Sequence, residues 1–402
     1  MLRVKADAPD ALLAVVPHLL GFYPSESLVV LGIGGKRSRV QLTFRYDLPD
    51  PPDAALTADI ADHAVSVCQR QRIRLAVLIG YGPAEQVVPA LATVMKWLLV
   101  NGVGLREVLR AEGGRYWSLL CEDPECCPPE GRPFDPGSHP VASTMTEAGM
   151  TAMPDRAALA RSLLPRSGST ETIRKSTTRA EQMLWNIGAA HFDEVEDVRL
   201  VTATVGKAAV QDAIQRYRAG ERITDGDELA WISVLLADLR VRDDAWARMD
   251  PEHYEAHIRL WTDVLKGAAT EYVPAPAALL AFAAWQSGNG ALGGVALDRA
   301  LGARPDYSMA LLLQGALTAG LPPSAAKLPM SPEEVAASYE AQDERRRSPK
   351  TTRARRQRRG QPDTARSGTA RSGTARSGGR SSKSRSAAPG ETTSGASSRP
   401  SG

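Results

Sequence analysis

Apolar residues recur along this chain in two rhythms, and the change of rhythm divides it. Up to residue 140, helical spacing alternates with short unbroken apolar runs. Ala11, Leu12, Val15, Val16, Leu19 and Leu20 form one helical stripe that Gly21 stops. Residues 27–33 (SLVVLGI) read as a buried strand, Gly34-Gly35-Lys36 as a turn, and residues 40–46 as the returning strand. Leu56, Ile60, Ala64, Val67 and Cys68 line a helix, and residues 75–79 form another buried strand closed by Gly80-Tyr81-Gly82. Val87, Leu91, Val94, Met95 and Leu98 mark a second crossover helix. Two more strands, near 106–110 and 116–120, turn at Gly113-Gly114. The order α-ββ-α-β-α-ββ predicts an α/β domain over residues 1–140, a mixed sheet with packed helices. Its strand–helix–strand units are expected to make parallel neighbours and its hairpins antiparallel ones.

From Pro154 onward the strand signals vanish, which predicts a mostly α-helical domain over residues 141–345. Leu229, Ile232, Leu236 and Leu239 form one stripe; Tyr254, Ile258, Trp261 and Leu265 form another, opened by Asp250-Pro251-Glu252 as cap and first turn. Ser331-Pro332-Glu333-Glu334 is a capping box ahead of a last helix. Residues 274–307 resemble one tetratricopeptide unit, with the turn at Gly288 and Pro305 closing the second helix. A simple helical hairpin in a bundle explains the same spacing, because one repeat cannot bury its own face.

Charge separates a third segment. Residues 341–402 carry 16 Lys+Arg and 4 Asp+Glu, a net of +12, which leaves −9 on residues 1–340 beneath an overall charge of +3. The stretch includes Arg353, Arg355, Arg356, Arg358 and Arg359, then three copies of TARSG from Thr364. After Val335 it offers no large aliphatic residue, so residues 346–402 are expected to stay disordered. Their arginines are candidates for contact with nucleic-acid phosphates, and the lack of interleaved aromatics predicts little sequence selectivity. A solubilising extension is the alternative. A protein partner is expected, if anywhere, on the helical domain. Four cysteines in 402 residues do not make a disulfide framework and suit a cytoplasmic protein. The apolar run at 87–100 contains Pro89 and Lys96 and is too short for a membrane span.

Candidate chemistry is sparse. In sheets of this kind ligands sit beyond the carboxyl ends of the parallel strands. Those ends carry Arg45 and Asp47, then Tyr81, with Arg115 entering from the last hairpin, a set suited to a small anion. Ion pairs that merely order loops are the competing reading. Gly32-Ile33-Gly34-Gly35 runs into a strand rather than a helix and is a turn, not a phosphate loop; Gly80-Tyr81-Gly82 lacks the Lys-Ser/Thr of one. Cys121, Cys126 and Cys127 invite a metal or redox reading, with zinc, a reversible disulfide and quiet structural thiols all open. Their loop follows the last strand, so thiols and arginines are not expected to share a site. The six histidines are scattered, and His253 and His257 lack the HExxH arrangement.

LGFYPSESLVV from Leu20, RYDLP from Arg45, and RYWS from Arg115 running into CCPPEG at Cys126 resemble the actinobacterial domain-of-unknown-function family 4192. The resemblance covers residues 5–330 and implies no activity, cofactor or catalytic residue. The reading is therefore of a ligand-binding or interaction module. An enzyme acting on a small anion at the Arg45/Asp47/Tyr81/Arg115 crevice, and a nucleic-acid regulator using the tail, stand as alternatives. Whether the chain is an enzyme, and which cofactor it takes, the sequence leaves unknown.

Overall fold

The computed structural model describes residues 8–34, 39–190, 195–325 and 331–347. Helix α1 (Pro9–Leu20) leads into the hairpin β1 (Ser27–Gly34) and β2 (Arg39–Asp47), then α2 (Ala54–Arg70), β3 (Leu75–Tyr81), α3 (Ala84–Val100), β4 (Gly104–Glu112) and β5 (Arg115–Ser118). This is the expected order. A further strand, β6 (Arg132–Pro133), is too short to leave a sequence pattern. Gly21 ends α1 with φ at 74°, a left-handed cap that glycine adopts without strain.

The sheet order is β2-β1-β3-β4-β5-β6. Strands β3 and β4 are parallel neighbours, as their crossover through α3 predicts. Strand β1, however, lies between β2 and β3 and is antiparallel to both. The β2–α2–β3 crossover therefore skips a strand, and only one of the two crossovers makes parallel neighbours. Strands β2, β3 and β4 still point their carboxyl ends the same way, while β1 and β5 begin at that end.

Alternation along the strands separates two cores. Leu28, Val30, Leu78 and Val108 pack with Ile60, Ala64, Leu91 and Val94 of α2 and α3. Val29, Leu31, Val77, Ile79 and Leu109 face the other way and join Leu12, Leu13 and Val16 of α1. Helix α3 presses so closely on β3 that a Cβ at Gly80 would stand 2.0 Å from Val87 Cγ1.

Among the described residues the elements named after β6 are helices: α4 (Pro140–Glu147), α5 (Arg156–Ser162), α6 (Thr170–Ala189), α7 (Val195–Arg218), α8 (Gly226–Leu235), α9 (Leu239–Ala247), α10 (Tyr254–Gly267), α11 (Pro274–Gln286), α12 (Gly290–Ala303), α13 (Ser308–Thr318) and α14 (Pro332–Arg347). The stripe from Leu229 to Leu239 is two helices rather than one. Asp238 accepts the Arg240 N–H at 2.8 Å and restarts the chain as α9. Likewise Asp250 caps a turn, accepting from Glu252 N–H at 3.1 Å, and α10 begins only at Tyr254. The capping box is present: Ser331 Oγ accepts from Glu334 N–H at 3.3 Å, and Ser331 N–H donates to Glu334 Oε2 at 2.7 Å. Helices α11 and α12 form the expected hairpin around Gly288. All of α11 from Pro274 to Trp285 is buried, however, surrounded by α10, α12 and α13 as in a bundle.

The core on the α1 side of the sheet does not stop at the sheet. It continues through Tyr217, Leu260, Trp261 and Leu279 to Leu313, and the described residues up to Arg346 form one compact unit. Among the described residues no helix is long and apolar enough to cross a membrane. The arginine-rich segment, with Arg353, Arg355, Arg356, Arg358 and Arg359, lies outside the described residues.

Candidate functional site

A cleft of about 390 Å³ opens at the end of the sheet where β3 and β4 finish and β5 begins, the place the strand topology indicates. Its walls include Tyr23 and Glu26 from the loop before β1, Tyr81, Glu112 and Arg115 from the strand ends, and Phe134 just after β6. Gly82 forms part of the rim with φ at 135°, a conformation open to glycine.

Register explains how the polar groups meet. Ser27 is the Cα partner of both Asp47 and Tyr81, so these three side chains stand in one row on the α1 side of the sheet. Arg45 lies one row away on the same face, opposite Val29. The Ser27 Oγ, the Tyr81 hydroxyl and the Arg45 Nε are all buried without a hydrogen-bond partner among the described residues. Burial drives the Tyr81 phenol well above its ordinary pKa, so it stays protonated and serves as a donor.

The two arginines are already engaged. Arg45 pairs with Asp47 at 2.5 Å and its guanidinium lies 5.5 Å from the Phe22 ring centroid. It does not line the cleft. Arg115 does, yet its guanidinium donates to the carbonyls of Gly131 at 2.8 Å and Glu130 at 3.4 Å. Glu112 pairs with Arg110 at 2.9 Å. The structure thus brings Tyr81 and Arg115 into one concavity and leaves Arg45 and Asp47 beside it.

Arg115 also ties the cleft to the cysteine loop through these carbonyls, although none of the three cysteines is among the residues lining the cleft. Strand β5 carries the chain away from the cleft, and the loop folds back along it to β6. Trp117 Nε1 donates to Pro129 O at 2.9 Å, and the Arg110 guanidinium stacks 3.8 Å from the Trp117 ring centroid. Gly131, with φ at 76°, passes so near that ring that a Cβ would meet Trp117 Cε2 at 2.5 Å. The loop holds Cys121, Cys126 and Cys127 as free thiols. The Asp123 backbone N–H and the neighbouring Cys127 thiol draw the Cys121 pKa down.

A larger hollow of about 550 Å³ lies in the helical part, lined by Gln211, Arg218, Arg248 and Asp250. Its charges close on one another, Arg218 on Asp250 and Arg248 on Asp244 at 2.6 Å. The smaller cleft is the better candidate, because Tyr81 with its orphaned hydroxyl and the strand ends converge there, Ser27 standing in the adjoining strand row. Sequence reasoning found Tyr81 and Arg115 but missed Ser27, Tyr23, Glu112 and Phe134. Ser27 was legible from the two-residue period that puts it on the Tyr81 face, once β1 was known to neighbour β3.

Fold and cleft together define a mixed α/β protein whose sheet is completed on one side by a helical array. The chain belongs to the family described as a domain of unknown function (DUF4192), whose model matches residues 9–324. No curated protein and no solved structure matches it.

Proposed function

We propose that the chain is a non-catalytic module that binds a small molecule in the cleft at the ends of β3 and β4. The observation that carries this reading is the buried Tyr81 hydroxyl in the cleft wall, without a hydrogen-bond partner among the described residues, with the likewise unpartnered Ser27 Oγ in the same cross-strand row. A buried polar group left unpaired costs on the order of 1–3 kcal/mol, and a bound acceptor recovers that cost. Aromatic walls from Tyr23 and Phe134 supply apolar contact beside those donors. Arg45 and Glu112 are held in ion pairs with Asp47 and Arg110, and Arg115 on the Gly131 and Glu130 carbonyls, which supports a positioning role for these charges. The basic tail supports a second contact, with nucleic-acid phosphates, on its composition alone.

The test is native mass spectrometry of the gently purified chain and of Tyr81→Phe. The wild type is expected to carry an added mass that leaves on denaturation, and the variant to carry much less at an unchanged fold. Equal retention by both proteins, or a wild type without added mass that also shows no thermal shift against a metabolite library, would overturn the reading.

A further inference from the structure

The loop between β5 and β6 gathers three sulfurs. The Sγ atoms of Cys121, Cys126 and Cys127 all lie within 4.8 Å of one another. Zinc–thiolate bonds of about 2.3 Å in tetrahedral geometry set sulfurs about 3.8 Å apart, so small rotamer adjustments bring all three onto one ion. A disulfide would use two of the thiols and strand the third.

The gathering is built into the fold. Asp123 Oδ1 accepts from the N–H groups of Glu125 at 2.9 Å and Cys126 at 3.4 Å, and Cys127 N–H donates to Asp123 O at 2.7 Å. These bonds wind residues 123–127 into a turn that presents Cys126 and Cys127 to Cys121. From behind, Trp117 and Arg115 hold the Pro129 and Gly131 carbonyls. The sheet thereby meets part of the ordering cost that a metal alone bears in a small zinc module. Three thiolates around a dication leave one net negative charge, which the exposed loop leaves to solvent.

Among the described residues no histidine or carboxylate completes the set. His139 caps α4 instead, accepting from Val141 N–H at 3.2 Å. Structural zinc sites close with four protein ligands, whereas three leave a position for solvent or substrate. We infer that Cys121, Cys126 and Cys127 bind one zinc ion as thiolates and leave its fourth position to a small exogenous ligand, water or a free thiol. Each thiol that is protonated beforehand releases its proton to solvent as the metal binds.

The experiment uses the full chain, purified with reductant and without chelator. Elemental analysis is expected to find one zinc per chain, retained in Cys68→Ser, whose site is buried elsewhere, and lost in Cys126→Ser at an unchanged far-ultraviolet spectrum. Cobalt replacement in the wild type is expected to give thiolate charge-transfer absorption and tetrahedral ligand-field bands that move when a free thiol is added. These wild-type spectra decide the question even where the serine variant fails to fold. Reduced protein that takes up neither zinc nor cobalt overturns the site. So does a metal-free chain whose non-reduced mass shows a Cys121–Cys126 or Cys121–Cys127 disulfide. Cobalt bands indifferent to added thiol overturn the open fourth position.

Discussion

His257 sits in α10 at 1% exposure with neither ring nitrogen partnered among the described residues, stacked on Trp261 with ring centroids 6.3 Å apart. Burial drives its pKa down to about 4. Between that value and the unfolded value of about 6.5, the unfolded chain binds more protons than the folded one, so stability falls as pH falls. The loss begins below about pH 6.5 and saturates near pH 4, reaching roughly 3 kcal/mol at most. His257→Leu is expected to flatten that part of the curve in urea titrations from pH 7.5 to 4.5; an unchanged slope would place the acid sensitivity elsewhere. Gly80 makes a different kind of demand. Val87 Cγ1 occupies the place its Cβ would take, at 2.0 Å, and both lie between a strand and a helix that cannot separate cheaply. Gly80→Ala should destabilise the fold by about 1–3 kcal/mol through overpacking, read as a lower urea midpoint. The double variant Gly80→Ala/Val87→Ala should recover part of the loss.

At the scale of elements, the capping box of α14 offers a local test. Ser331→Ala removes the acceptor for Glu334 N–H and should weaken the first turn by about 1 kcal/mol. Amide hydrogen exchange in α14 is the measurement, since a terminal helix can open without the rest. A uniform change across the chain would show that α14 unfolds only with the whole. That box was readable because its two partners stand three residues apart. The strands and helices up to Ser118 were equally readable, each being a local period and most of them bounded by glycine. Pairing was not. Nothing local in β1 says that it will sit between β2 and β3, because that position is set by a crossover passing over it. The site suffered for the same reason. Tyr81 and Arg115 were found from strand ends, but Ser27 required the register. The Arg45–Asp47 pair was legible, since residues two apart on a strand share a face, whereas the capture of Arg115 by the Gly131 carbonyl required side-chain geometry that no spacing encodes. In the helical part, continuing apolar spacing hid the break at Asp238, whose side chain had to be weighed as a cap against an unbroken stripe.

At the scale of the whole molecule, the compact unit ends at Arg346, and the +12 stretch begins at residue 341. Deleting residues 348–402 is expected to leave the thermal midpoint within about 2 °C, less than a loss of 1 kcal/mol produces at this size. A fall of many degrees would mean that the arginine-rich segment braces the acidic body. The same deletion tests contact with nucleic acid. Full-length protein should retard a duplex at low salt and release it as salt rises, and the truncated chain should not retard it at all. The continuous core has a bearing on how the chain is made. The cluster that holds Val29, Leu31 and Ile79 against α1 continues beyond α1, which itself packs on α4 and α12, as far as Met309 and Leu313. A nascent chain therefore emerges with the outer side of α1 still lacking its α12 partner until most of the compact unit has been synthesised. Closure waits on partners some 280 residues away, so early folding intermediates are sticky by construction and maturation becomes a late, concerted event. Stalled or truncated translation products ending near residue 140 should accumulate on chaperones rather than as free folded domains.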